Sequence, residues 1–491
     1  EGSWYRTENA YPQIGYFAQH ENERFALCSK AAAVAAFLPE DTALSDALAA
    51  GPALEIVLPQ AIDEVALTWS VSGGLTLTPA GNAVPDPAAC LPGSILSGSV
   101  TCVVGETART RTLASTPAQP PAVLYEDWAA VGAAVANGSL LRTDGAALTP
   151  AGEGTADDPW QIGTPEALAW FMSQVNAGVL GTGSQNVLLT ADIDLFGGNY
   201  TGETDADDVT KALPWTPVGR AGAPHFTGTL DGAGHTVKHL FIQDASLEGG
   251  GLIGFAQEAV IRGVTVGADS SITARTAGGV VGRLNGGTLE DCVNQAAITV
   301  SGGFGGGLAG ECASDAAPAV IRRCANEGRI AGEGGDARLG GIAGQAGGAS
   351  GPPEITDCCN TGNVEKKDAG TGGAAGIATG SAAIMNSYNA GSVTAATPGF
   401  ASALAEAGNP LANCYCLEGG TAQENGAVPV TLGQLRSWGM VYALNGNSRS
   451  GHWQLGKGGG PAPAAAPGEL RAAADWAEVG VKALDDLTLE I

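Results

Sequence analysis

Five histidines, ten cysteines and the acidic side chains are the groups of this 491-residue chain that could carry chemistry, and their spacing limits what that chemistry is. A zinc-peptidase helix needs two His at i and i+4 with a Glu between them as base. His20-Glu21-Asn22-Glu23-Arg24 supplies the first His and the Glu, then breaks at Arg24. His235 and His239 are four apart, but Thr236 follows His235 and the segment reads as a strand. With His225 and His452 they are expected to be structural. Neither a Gly-x-Ser-x-Gly elbow nor a phosphate-binding glycine loop is present.

Glycoside hydrolysis asks for two carboxyls about 5–9.5 Å apart, one with a raised pKa. Asp291 and Asp357 share a repeat register with Arg323 between them, which would stack the three on one outer edge. A solvated charge column is the expectation there, so no catalytic residue is assigned. The acidic run 203–208 offers oxygen ligands of the kind Ca2+ takes, but no spaced motif. No metal ligand and no cofactor are assigned either.

The cysteines lead to the elements. Ten in a chain this long do not make a dense disulfide scaffold. Cys292, Cys324, Cys358 and Cys414 fall at one register, with Ser387 in the fourth place. A metal site would want a compact group such as Cys-x2-Cys. Recurrence at a long period predicts an inward ladder of small, buried side chains instead.

Two interlocked phrases set that register. The first is Gly-Gly, two small or apolar residues, Gly: Gly250-Gly251-Leu252-Ile253-Gly254, then Gly278-Gly279-Val280-Val281-Gly282 and Gly306-Gly307-Leu308-Ala309-Gly310. Gly340-Gly341-Ile342-Ala343-Gly344 and Gly372-Gly373-Ala374-Ala375-Gly376 follow. The second phrase is apolar, polar pair, Cys or Ser, then Asn, as in Ile321-Arg322-Arg323-Cys324-Ala325-Asn326. Gly and Asn are expected to take left-handed turns between short strands, and Gly282 and Gly344 to need positive φ or close backbone approach. A repeat near 30 residues cannot bury its own apolar face, but stacked at about 4.8 Å per strand it can. The prediction is a parallel β-helix with about one turn per repeat.

Composition narrows the function. Fifty acidic against twenty-three basic residues give a net charge of −27, which would repel nucleic acid. No run reaches the ~20 apolar residues of a membrane span. The opening Glu-Gly-Ser-Trp-Tyr lacks the features of a signal peptide, so the chain reads as a piece of a longer one.

The phrases resemble the GLUG motif of bacterial cell-surface proteins. Phe226-Thr227-Gly228-Thr229-Leu230-Asp231-Gly232-Ala233-Gly234-His235-Thr236-Val237 is similar to the entry strand of such proteins. The segments 154–162, 186–195 and 215–219 are similar to their first rungs, with an amphipathic helix near 165–177. The resemblance covers roughly residues 150–420 and implies a right-handed solenoid. It names no ligand, because such repeats occur in adhesins and beside IgA-cleaving peptidase domains alike. Gly399-Phe400-Ala401-Ser402 has lost the glycine phrase, which leaves the end of the coil open.

Upstream, alternating runs around Trp69 and Cys102 look like a bacterial immunoglobulin-like sandwich. Cys90 and Cys102 could form a hairpin disulfide, with Cys28 as a competing partner. Asp127-Trp128-Ala129-Ala130-Val131-Gly132 recurs as Asp475-Trp476-Ala477-Glu478-Val479-Gly480, both opening Ala-rich helical segments. Trp4-Tyr5 to Gly15 resembles the closing turn that follows GLUG repeats, and 458–467 reads as a flexible linker.

The expected organisation is a mostly β chain: 1–22 the end of a preceding module, 23–120 a β-sandwich, 121–185 a helical cap and first rung. A right-handed parallel β-helix over 186–430 follows, and 431–491 holds a cap, a linker and the start of a following module. The expected function is non-catalytic: an adhesin-like, extracellular bacterial surface or secreted protein binding a host glycan, matrix protein or other cell-surface ligand. A carbohydrate-active β-helix enzyme, or the flank of a larger peptidase, is the alternative.

Overall fold

Alternation of apolar residues over strands of two to five residues, broken by single turn residues, leaves the chain one way to bury its apolar face: coil on coil. The computed structural model describes residues 4–5, 13–14, 55–62, 65–86, 97–104, 107–114, 125–141 and 147–469, the last stretch without 204, 223, 316, 421 and 457–458. These residues fall into two compact units, 1–124 with 140–148, and 125–139 with 149–491.

The second unit is a parallel β-helix. One coil runs through Gly287–Glu290, Val293–Asn294, Ala297–Val300, Phe304–Gly306 and Ala309–Ala313, and returns to the first face at Ala319–Arg322. The five faces are parallel sheets, numbered 1 to 5 here in that order, of nine, nine, six, five and five strands. Inward residues stack in columns. Leu230, Ile261, Leu289, Ile321, Ile355 and Ile384 line sheet 1, and Ile242, Ile272, Ile298, Ile330, Val364 and Val393 line sheet 3. All are buried, each worth roughly 1.5–3 kcal/mol. The outward column of sheet 1 alternates in sign: Asp231, Arg262, Glu290, Arg322. Its ion pairs, Arg262–Asp231 at 2.8 Å and Arg322–Glu290 at 2.6 Å, join neighbouring coils.

Helices precede the coil, and a helix with a hairpin follows it. Helix α1 (Trp128–Ala136) is capped by Asp127, and Trp128 is fully buried with its indole N–H on the Leu195 carbonyl at 2.9 Å. Helix α2 (Pro165–Asn176) is the expected amphipathic helix, with Thr164 as N-cap and Pro165 in its first turn. Downstream, Trp438–Leu444 and strand Ser450–Leu455 pack on the outer face of sheet 2, against its outward column Ala325, Cys359, Tyr388 and Tyr415. The segment read as a flexible linker is not one: Pro461–Glu469 pairs antiparallel with Ser450–Leu455. As an edge strand it tolerates Pro. Trp453 lies opposite Pro463, and Trp4 opposite Ile14, so both hairpins pair a Trp with the residue ten positions on.

The register also corrects the repeat alignment. Gly340 pairs with Ala375, not with Gly372, so the coil after Gly340-Gly341-Ile342-Ala343-Gly344 is Ala375-Gly376-Ile377-Ala378-Thr379. Ala375 in turn pairs with Ser402, and Ala378 bridges Ala405, which carries the series on where its glycines are lost.

In the first unit Thr68–Gly73, Ser97–Val104 and Thr107–Ala114 form an antiparallel three-stranded sheet, and Leu75–Leu77 pairs with Ala83–Pro85. Trp69 stands directly opposite Cys102 on neighbouring strands of that sheet. Cys102 is a buried free thiol; Cys28, Cys90, His20 and the Asp475-Trp476 segment lie outside the described residues.

Candidate functional site

The carboxylates singled out for hydrolysis sit at the corner between sheets 1 and 2, where the chain turns on one left-handed residue per coil. Asp291 (φ 56°), Arg323 (φ 53°), Asp357 (φ 53°), Asn386 (φ 47°) and Asn413 (φ 57°) occupy it in succession, after Gly263 (φ 63°). Asp and Asn tolerate this region better than most side chains. Arg323 is held there by two bonds to Asp291, Nε to Oδ1 at 2.8 Å and an Nη2 to Oδ2 at 2.7 Å, and by Glu290 at 2.8 Å. Its side chain is 12% exposed, so this edge is less solvated than the sequence suggests. Asp357 accepts the Trp453 indole N–H at 3.2 Å. The two aspartates are two rungs apart, about 10 Å along the coil axis, with Arg323 in between. Each is engaged in holding the corner.

The cysteine ladder forms as predicted. Cys292, Cys324, Cys358, Ser387 and Cys414 are buried one above another, each side chain donating to the carbonyl two residues back, from 2.7 Å at Ser387 to 3.4 Å at Cys414. Burial pushes the Cys292 and Cys358 thiols well up, and the same desolvation acts on Cys324 between them.

Sequence reasoning missed a second ladder. The phrase Asn was expected in a left-handed turn; it points inward instead. Asn294, Asn326 and Asn360 each donate Nδ2 to the Oδ1 of the next Asn, at 2.8, 2.7 and 2.7 Å, and Asn389 accepts the last of these bonds. Each also donates to the carbonyl two residues on, at 2.8 to 3.2 Å. A Cβ on Gly279, Gly307, Gly341 or Gly376 would collide with one of these four amides. The two phrases are in phase because they touch across the coil interior. Gly282 and Gly344 have no positive φ; a Cβ there would lie 2.6 Å from the Gly249 Cα and 2.5 Å from the Gly305 nitrogen. Close approach, not a left-handed turn, explains them.

The described histidines are partnered: His225 Nδ1 with Gln257 at 3.0 Å, His235 with Asp192 at 3.2 Å, His239 with Asp194 at 2.7 Å, and His452 with the Ala464 carbonyl at 2.9 Å. In the acidic run Asp205 pairs with Lys211 at 2.9 Å, and Asp208 caps Thr210 at 3.1 Å. Among the described residues no three His, Cys, Asp or Glu converge on a metal position.

What the structure adds is a groove of about 330 Å³ beside sheet 5. Phe255, Arg283 and Glu311 are successive residues of one outward column, and Phe304 enters from sheet 4. Glu248, Arg275, Thr276 and Asp336 complete the polar lining. Arg275 pairs with Glu248 at 2.7 Å, and Arg283 with Asp315 at 3.1 Å and Glu311 at 3.4 Å. Burial raises the Glu311 carboxyl, Arg283 opposing the shift. Phe255 stacks on His225 at 6.0 Å with 20° between the rings, and the Phe304 backbone N–H donates to Thr276 Oγ1 at 3.3 Å. Two half-buried rings fixed among preset charge pairs make a surface able to hold a ligand with an apolar face and a polar rim.

No family model matches the chain. Over 181 residues, 36% of its length, it is 29% identical to Halomucin of Haloquadratum walsbyi, and the match spans 2% of that protein. A solved chain described as a "putative immunoglobulin A1 protease" from Bacteroides ovatus is similar over 65% of this chain and 95% of its own, at 20% identity and a TM-score of 0.45. Among the described residues no helix is long and apolar enough to cross a membrane.

Proposed function

We propose that this chain is part of a non-catalytic, extracellular bacterial surface protein in which the β-helix is a rigid rod presenting a side groove to a ligand on another surface. The observation that carries the reading is the groove itself: Phe255 and Phe304 beside the Arg275–Glu248 and Arg283–Glu311 pairs, with Phe255, Arg283, Glu311 and Phe304 on strands of the parallel sheets. The carboxylates that a hydrolytic reading would need point the same way, since Asp291 is bound by Arg323 and Asp357 by Trp453. Similarity to a short stretch of the much longer Halomucin fits a repeat segment of a large protein.

The test is binding of the intact chain to arrays of glycans and matrix proteins, alongside incubation with neutral and acidic polysaccharides and immunoglobulin, with Ca2+ or Zn2+ supplied. Saturable binding that Phe255→Ala and Arg283→Ala abolish is the expected result. Time-dependent cleavage that disappears in Asp291→Asn or Asp357→Asn would install an enzyme in its place.

A further inference from the structure

We infer that the groove takes neutral pyranose units of a glycan, a reading that rests on the groove being the ligand site. A pyranose presents an apolar C–H face and a rim of hydroxyls, each of which both donates and accepts. The groove offers the matching pair of features. Phe255 and Phe304 stand two coils apart, about 10 Å along the axis, with Arg283 and Arg275 on the intervening coil. An aromatic face carries negative potential and attracts polarised C–H groups. Each guanidinium is already paired with a carboxylate, so donors and acceptors lie side by side at fixed separation, which suits vicinal hydroxyls. Fixing the rings and charge pairs beforehand lowers the ordering cost of binding.

Charge selects against acidic sugars. Two arginines face the carboxylates of Glu248, Glu311 and Asp336, so the lining has no surplus positive charge to hold a sialate, uronate or sulfate. The chain's −27 adds repulsion at longer range. A protein ligand would demand a wider contact area than a groove of about 330 Å³, whereas this volume falls at the small end of small-ligand sites, about 300–1,000 Å³.

The experiment is saturation-transfer difference NMR and calorimetry on the full chain. The probes are neutral hexose oligosaccharides and matched sialylated, uronate and sulfated ones, with a matrix-protein array in parallel. Variants are Phe255→Ala, Phe304→Ala and Arg283→Met, with Val179→Ser, exposed and outside the groove, as control. Circular dichroism and melting confirm that each variant is folded. Binding of neutral oligosaccharides that weakens at least tenfold in each groove variant, and is unchanged in Val179→Ser, is expected. Preference for acidic sugars, or protein binding lost in the groove variants, would overturn the sugar class while keeping the groove as the ligand site. Glycan or protein binding that ignores all three groove variants, or no binding at all, would overturn both.

Discussion

Asn326 donates its side-chain amide to Oδ1 of Asn360 at 2.7 Å, in a position with no solvent exposure. The bond repeats along the coil axis, so each amide is satisfied by its neighbours above and below. This buried polar column fixes register, because a coil displaced by one residue would place an unpaired amide in the apolar interior.

Asn326→Ala leaves Asn360 Oδ1, the Gly328 carbonyl and one Asn294 side-chain N–H short of partners, at about 1–3 kcal/mol for each orphaned group. Asn326→Asp should cost more at neutral pH, since a carboxylate would face the same two acceptors without a proton. Part of that excess should return at pH 4, where protonation restores one donor. Urea unfolding of both variants at pH 7 and pH 4 checks this; equal losses at both pH values would contradict it.

The glycines can be ranked by what a Cβ would meet. Gly307→Ala would drive a methyl into the Asn326 amide and the Gly341 carbonyl, and Gly282→Ala into the Gly249 backbone. Losses of about 1–3 kcal/mol are expected, as in overpacked cores. Gly181→Ala meets nothing within 4 Å and has no left-handed φ, so it should be neutral or slightly stabilising. Melting temperatures of the three variants decide the order.

At the corner, Arg323 combines a left-handed φ of 53° with a two-bond pair to Asp291. Arg323→Ala keeps the backbone strain and loses the pair. Arg323→Gly loses the pair but relieves roughly 1 kcal/mol of strain. The glycine variant should therefore be the more stable of the two in equilibrium unfolding.

The thiols give the chain an alkaline limit. Burial pushes Cys312 and Cys359 up to about 12, against 9.0 for an unburied thiol. A raised native pKa means the unfolded state sheds its proton first as pH rises. The stabilisation is complete below pH 9 and is lost between pH 9 and 12, at about 1.4 kcal/mol per thiol per pH unit. Denaturant midpoints should fall across that window, more steeply than in a Cys312→Ala, Cys359→Ala double variant. Peptide-resolved labelling at pH 8 should find Cys292, Cys324 and Cys358 unreactive until the protein unfolds.

The sequence by itself determined the coil, its period, the buried cysteine ladder and the absence of peptidase spacing. Each follows from local alternation and from residues recurring in phase, and a period of strands demands stacking wherever the chain is placed. Tertiary structure decided what the recurring residues touch. Asn326 looks like a turn residue in one repeat and becomes a ladder rung only when Asn294 and Asn360 stand above and below it. Gly307 is required by the Asn326 amide across the coil, a contact between distant parts of one turn that no spacing rule describes. Residues 461–469 became a strand because Ser450–Leu455 offered an edge. The groove was invisible for the same reason: Phe255, Arg283, Glu311 and Phe304 belong to three coils, and only winding at one strand spacing per turn brings them to one wall.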